Sequence, residues 1–206
     1  MQILFNMNFL HFFISCFFLL NLSSISAQKG FRGSAIIGLN LAQLDGDDLV
    51  GFNKTGVTSG VKVAFDLKKK IEANVEMLYS QRGSSERLFR QETTAVTKAD
   101  FFELPIYLSF KDWYIEKEDY YKMRGQLGFS TGFLANSSVQ NETNFDPALF
   151  NDLDFSWLVG ASYSFTQHWS LTARYTRSFN KLLEDENLRI NFLLSYFWSI
   201  RAEYNF

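Results

Sequence analysis

A period of two in side-chain character recurs along this chain, and a pattern repeated that often commits most of the backbone to paired β-strands. It is sharpest in the last nine residues, where Trp198, Ile200, Ala202, Tyr204 and Phe206 share one face of an extended segment and Ser199, Arg201, Glu203 and Asn205 share the other. From Ile71 to Arg82 the same alternation sets Ile71, Ala73, Val75, Met77 and Tyr79 against Glu72, Asn74, Glu76, Ser80 and Arg82, and no helical spacing accounts for it. The alternation predicts eight strands, at about 33–44, 55–67, 71–82, 99–111, 121–135, 154–165, 169–179 and 188–206. Aromatic residues make up 17% of the chain and there are only two prolines, as suits so many paired strands.

The connections between these strands alternate in length. Those at 45–54, 83–98, 136–153 and 180–187 are long, whereas 68–70 and 166–168 are tight turns and 112–120 is intermediate. Bacterial outer-membrane barrels resemble this arrangement, with an even number of strands joined by short periplasmic turns and longer outer loops. The expected fold class is therefore all-β: an eight-stranded antiparallel up-and-down transmembrane β-barrel, preceded by a cleavable signal peptide. Residues from Phe9 to Leu22 are almost wholly apolar and lead into Ser23-Ser24-Ile25-Ser26-Ala27, a small-residue stretch suited to cleavage after Ala27. The apolar run is short for a transmembrane helix, though it lacks a preceding Lys or Arg, and the rival lipobox Ile14-Ser15-Cys16 begins poorly with Phe13. Two regions follow: residues 1–27 as signal peptide exported through the Sec pathway, and residues 28–206 as the barrel domain. Cleavage removes Cys16, the only cysteine, so no disulfide is expected.

All charged residues lie after position 28, and their balance of −2 argues against nucleic acid as a partner class. Periodicity does not say which phase faces inward. An apolar interior would make a soluble lipocalin-like barrel around a hydrophobic ligand; a polar interior would make a membrane barrel. Gly and Ser stand beside long charged side chains in the polar phase, a mixture that would pack the narrow lumen of eight strands and so favours the membrane barrel. The lumen is thus expected to hold a structural ion-pair cluster of Glu72, Glu76, Glu103, Arg124 and Arg174, acting as a plug rather than as a proton or ion path. An enzyme is not expected: the single mature histidine, His168, falls in a periplasmic turn with no Ser or acidic partner nearby in sequence. Neither metal-ligand spacing nor a phosphate-cradling glycine loop occurs, so no cofactor is expected. The loops 83–98 and 136–153, with Phe89, Phe145 and Phe150, are candidate docking surfaces for an envelope protein partner.

One segment, Phe102-Glu103-Leu104-Pro105-Ile106-Tyr107-Leu108, resembles the fourth strand of the PorT-like family of small outer-membrane barrels in Bacteroidetes. Shorter matches are Gly38-Leu39-Asn40, Gly128-Phe129-Ser130, Gly160-Ala161 and Arg174-Tyr175, which together span most of the mature chain. The resemblance implies an outer-membrane barrel in contact with lipid, in a family whose members mostly lack an assigned activity. One namesake is linked to type IX secretion and gliding, which leaves an accessory role there as an alternative to a role in envelope structure. Outer-membrane barrels also resemble this chain in ending on an aromatic residue with a second aromatic two positions earlier. The resemblance makes Tyr204 and Phe206 the signal read by the barrel-assembly machinery.

Overall fold

The alternation closes into a wall in the computed structural model, which describes residues 30–45, 52–85, 96–140, 150–184 and 192–206. The expected signal peptide, 1–27, lies outside the described residues. Among those residues the strands are β1 (Phe31–Asp45), β2 (Lys54–Lys68), β3 (Ile71–Ser85), β4 (Val96–Ile115), β5 (Tyr120–Gln140), β6 (Leu153–Ser164), β7 (Trp169–Ser178), β8 (Leu183–Glu184) and β9 (Phe192–Asn205). Each of β1–β7 pairs antiparallel with its chain neighbour, β7 pairs with β9, and β9 pairs back onto β1, so eight strands form the expected closed antiparallel barrel. The two residues of β8 pair only with Phe192 and Leu193 of β9.

Register fixes the tilt. Stepping around the wall from Gly33 through Val63, Val75, Ile106, Phe129, Trp157, Arg177 and Tyr196 returns to β1 at Gln43, ten positions along. With a rise of about 3.3 Å per residue and strands about 4.8 Å apart, that offset inclines the strands by roughly 40° to the barrel axis. At this tilt the exposed run from Val57 to Leu67 covers roughly 25 Å along the axis, the height of a lipid-facing band.

The apolar phase faces outward. Phe129 is 65% exposed and Ile37 and Met77 63%, whereas Glu76 and Arg201 are 1% exposed. A continuous apolar outer surface of this kind is stable only against an apolar medium, and this inversion removes the ground for the soluble lipocalin-like alternative. Inside, small residues make room for large ones: Gly38, Gly128 and Gly160 stand opposite Arg201, Tyr107 and Arg174 across the ladder. A Cβ added to Gly128 would lie 2.3 Å from the Tyr107 Cβ, so the tyrosine and the glycine fill one another's space.

Several boundaries differ from the expected ones. The strands flanking the 83–98 and 136–153 connections continue to Ser85, from Val96 and to Gln140, which shortens both loops. Asp100 pairs with Asn136 but Phe101 with Leu134, so Ala135 is a bulge; the period of two breaks there, which is why the sequence pattern stops at that point. The 112–120 connection is a tight hairpin: Tyr114 pairs with Tyr121 and Ile115 with Tyr120, leaving only Glu116 to Asp119 as the turn. All three turns at this end of the barrel are now shorter than every connection at the other end.

Candidate functional site: a charged lumen in three tiers

Inward-facing ionisable side chains stack along the barrel axis in three groups. Nearest the short turns, Asp66 of β2 accepts from Arg32 Nη1 of β1 at 2.7 Å and from Lys111 Nζ of β4 at 2.5 Å. Arg32 also pairs with Glu72 of β3, and Glu72 Oε1 lies 3.9 Å from Arg124 Nε of β5. Arg124 Nη1 donates to Ser164 Oγ at 2.6 Å.

The middle tier centres on Glu76 of β3. Its carboxylate accepts from Arg174 Nη1 at 2.8 Å, Arg201 Nη1 at 2.9 Å and Tyr107 Oη at 2.5 Å. Arg174 lies over the Tyr107 ring at 4.5 Å and donates from Nη2 to Gln126 Oε1 at 2.9 Å. Glu203 of β9 pairs with Lys62, accepts from Thr172 Oγ1 at 2.7 Å and lies 3.3 Å from Arg201 Nη2. Three cations therefore share two carboxylates, and every carboxylate oxygen here is used, as burial of charge requires.

In the third tier Arg82 of β3 donates from Nε to Glu103 Oε1 at 3.0 Å and from Nη1 to Asp154 Oδ2 at 2.5 Å. The Arg82 guanidinium is sandwiched by the rings of Phe101 at 4.7 Å and Phe197 at 4.3 Å. Beside Phe101, Leu44, Ala99, Phe150, Leu182 and Leu193 pack into a buried apolar cluster. Phe150, expected as an exposed docking residue, is only 6% exposed; its backbone is carried on residues tied to this end, with Asn151 N donating to Leu182 O at 2.7 Å. Phe89 and Phe145 lie outside the described residues.

The five residues expected to form a single cluster are thus divided: Glu72 and Arg124 in the first tier, Glu76 and Arg174 in the second, Glu103 in the third. Three partners escaped the sequence reading. Arg32 falls just before the expected start of strand one, Lys111 at the expected end of strand four, and Asp154 at the expected start of strand six. Arg82, Arg201 and Glu203 were visible in the polar phase, but only the register says which cation meets which carboxylate. Lys62 stands opposite Glu76 in the ladder, yet it pairs with Glu203 because two arginines already occupy Glu76.

Space follows the same order. Between the second and third tiers the free volume is about 10 Å³, room for at most one water. Beyond the first tier, toward the short turns, a vestibule of about 750 Å³ opens. Outside it Tyr204 packs edge-on to Trp169 at 5.0 Å and to Phe206 at 5.7 Å, and Phe206 N donates to Gly33 O at 3.0 Å where the last strand meets the first. His168 stacks on Tyr204, and its Nδ1 lies 2.9 Å from the Asn205 backbone oxygen. Among the described residues, no group of His, Cys, Asp and Glu is arranged to hold a metal ion.

The sequence model of the outer membrane protein β-barrel domain family matches residues 26–184. Among solved structures the chain is similar to Ail, the attachment invasion locus protein of Yersinia pestis, at 14% identity over 87% of this chain and 100% of that one, with a TM-score of 0.49. It is similar also to Neisserial surface protein A, at 13% identity over 86% of this chain and 98% of that one, with a TM-score of 0.48. A third is the outer membrane protein AlkL in lipid bilayers, at 17% identity, 89% and 94% coverage, and a TM-score of 0.37. No curated protein matches the sequence.

Proposed function

The chain belongs to the outer membrane protein β-barrel domain family, and from that premise we propose that it is a non-enzymatic integral barrel with a closed lumen, serving envelope structure or partner binding through its outer loops. The observation that carries the closed lumen is the middle tier, where Lys62, Glu76, Arg174, Arg201 and Glu203 fill the bore and leave about 10 Å³ above them. An ion crossing this tier would have to break several charge-assisted hydrogen bonds at once, each stronger than a neutral one. Planar-bilayer recording of the purified protein tests this. A silent membrane is expected, and stable unitary current steps from the wild-type barrel would sink the closed-lumen reading.

The finer assignments belong to the same proposal. We assign the chain to the PorT-like barrels of Bacteroidetes on its Phe102–Leu108 segment, with export through a Sec leader ending at Ala27 and assembly through Tyr204 and Phe206. Exposure of Tyr204 and Phe206 on the outer wall of the closing strand supports the last point, since an assembly factor must reach them. The amino-terminal sequence of the protein recovered from outer membranes is expected to begin at Gln28. Capture of envelope partners that is lost on trimming 86–95 or 141–149 would favour loop docking, and co-purification with secretion components would favour the accessory role. The engagement of His168 by Tyr204 and Asn205 supports the non-enzymatic reading.

A further inference from the structure

We propose that the vestibule at the short-turn end is a blind binding site for a phosphate-bearing ligand of the periplasm. Short turns face the periplasm in outer-membrane barrels, so this mouth opens inward to that compartment. Its volume of about 750 Å³ falls in the range of small-molecule sites. Arg32, Lys68, Lys69, Lys111 and Arg124 line it, against two lining acidic side chains, Asp66 and Asp119. Adding Glu72, which pairs with Arg32 beside the vestibule, still leaves the cations in excess.

Two of these cations are also unpaired. Arg32 and Lys111 are committed to Asp66. Arg124 donates from Nη1 to Ser164 Oγ and holds its Nε 3.9 Å from Glu72 Oε1, whereas the exposed Lys68 and Lys69 make no ion pair among the described residues. Two exposed ammonium groups beside the Arg124 guanidinium at one cavity suit a compact dianion, and phosphate is the acidic group that uses both charge and several acceptor oxygens there. The wall on one side is the β4–β5 hairpin, whose tip is tied to the facing β6–β7 turn by Gln167 donating to the Glu118 carbonyl. Trp113 and Asp119 in that hairpin hold positive φ values of 56° and 51°. Left-handed backbone at a tryptophan is costly and persists where the surroundings enforce it, which is common at ligand sites.

The phosphate could be carried by a soluble ester or by a phospholipid headgroup of the inner leaflet, and the test separates these sources. The full barrel in zwitterionic micelles is titrated with inorganic pyrophosphate by calorimetry. Saturable binding is expected that weakens as salt rises from about 20 to about 300 mM. The paired change Lys68→Gln and Lys69→Gln, on exposed side chains that the fold does not need, is expected to weaken binding by about tenfold or more, and Arg124→Gln likewise. Lys98→Gln, at the long-loop end of β4, is expected to leave it unchanged. Repeating the titration in phosphatidylglycerol nanodiscs identifies the source: lost affinity there means that headgroups occupy the site, and unchanged affinity means a soluble ester. No saturable binding at low salt, or equal weakening by Lys98→Gln, overturns the proposal. Binding is read independently of conductance, so failure of the closed-lumen reading would leave this result standing.

Discussion

The two ends of the lumen are built from the same alternating pattern, yet one is dry and the other wet. At the long-loop end Arg82, Glu103 and Asp154 are sealed between aromatic rings and an apolar cluster supplied partly by chain beyond the strands, through Phe150 and Leu182. At the short-turn end Arg32 and Asp66 keep more than a third of their side-chain surface in the vestibule. Turns of two to four residues are too short to fold back over the bore, whereas Phe150 and Leu182, which lie beyond the strands at the other end, pack into its apolar cluster. Loop length, not strand pattern, therefore decides whether a lumenal ion pair is buried or solvated, and with it how much that pair matters to stability.

The largest expected effect is at the dry end. Arg82→Gln leaves Glu103 and Asp154 buried without their cation, and a broken buried network of this kind costs about 3–5 kcal/mol. Urea unfolding in lipid vesicles is the measurement. A loss below about 1 kcal/mol would mean that water reaches this tier and that the two ends do not differ. Neutralising the triad together, with Arg82→Met, Glu103→Gln and Asp154→Asn, is expected to recover most of the loss because no unpaired charge remains.

Leu193→Ala comes next. Leu193 is fully buried in the cap, so truncation is expected to cost roughly 2–5 kcal/mol in the same unfolding assay and to speed amide exchange in β9 near Phe197. The corresponding truncation at the wet end, Phe206→Ala on a side chain 76% exposed, is expected to leave amide exchange near Arg32 unchanged. In the middle, Gly128→Val drives a side chain into Tyr107 and is expected to cost about 1–3 kcal/mol, with Gly125→Val on the outer wall as its harmless counterpart.

How far the sequence carries this comparison depends on which physical term is local. Alternation is local, so the strands, their phase and the outward face of Ile37, Met77 and Phe129 were legible. Small residues opposite large ones were legible as composition, although the pairs Gly38 with Arg201 and Gly160 with Arg174 needed the register. Ion-pair identity is non-local: Glu76 meets Arg174 and Arg201 from strands about a hundred residues or more away, and no spacing in the chain encodes that choice. Phe150 misled for the same reason, since a phenylalanine in a polar stretch reads as exposed until its packing against Leu44, Phe101 and Leu193 is seen. The β4–β5 turn was blurred because Asp112, Glu116 and Lys117 look like a loop, whereas at the barrel rim a strand continues past the membrane with polar residues on both faces.

The smallest expected effect sharpens the comparison most. Arg32→Gln removes a cation that touches both Asp66 and Glu72, so by contact count alone it resembles Arg82→Gln. Arg32 and Asp66 are 39% and 35% exposed, however, so water and salt screen the pair, Lys111 remains on Asp66, and the buried Glu72 keeps Arg124 at 3.9 Å. The expected loss is below about 1 kcal/mol at physiological salt, and smaller still at about 0.5 M. Measured beside Arg82→Gln over the same salt series, the two variants should diverge: the wet-end loss fades as salt rises and the dry-end loss does not. Parallel salt responses would mean that both tiers share one environment, and the cap formed by Phe150, Leu182 and Leu193 would then exclude no water from Arg82.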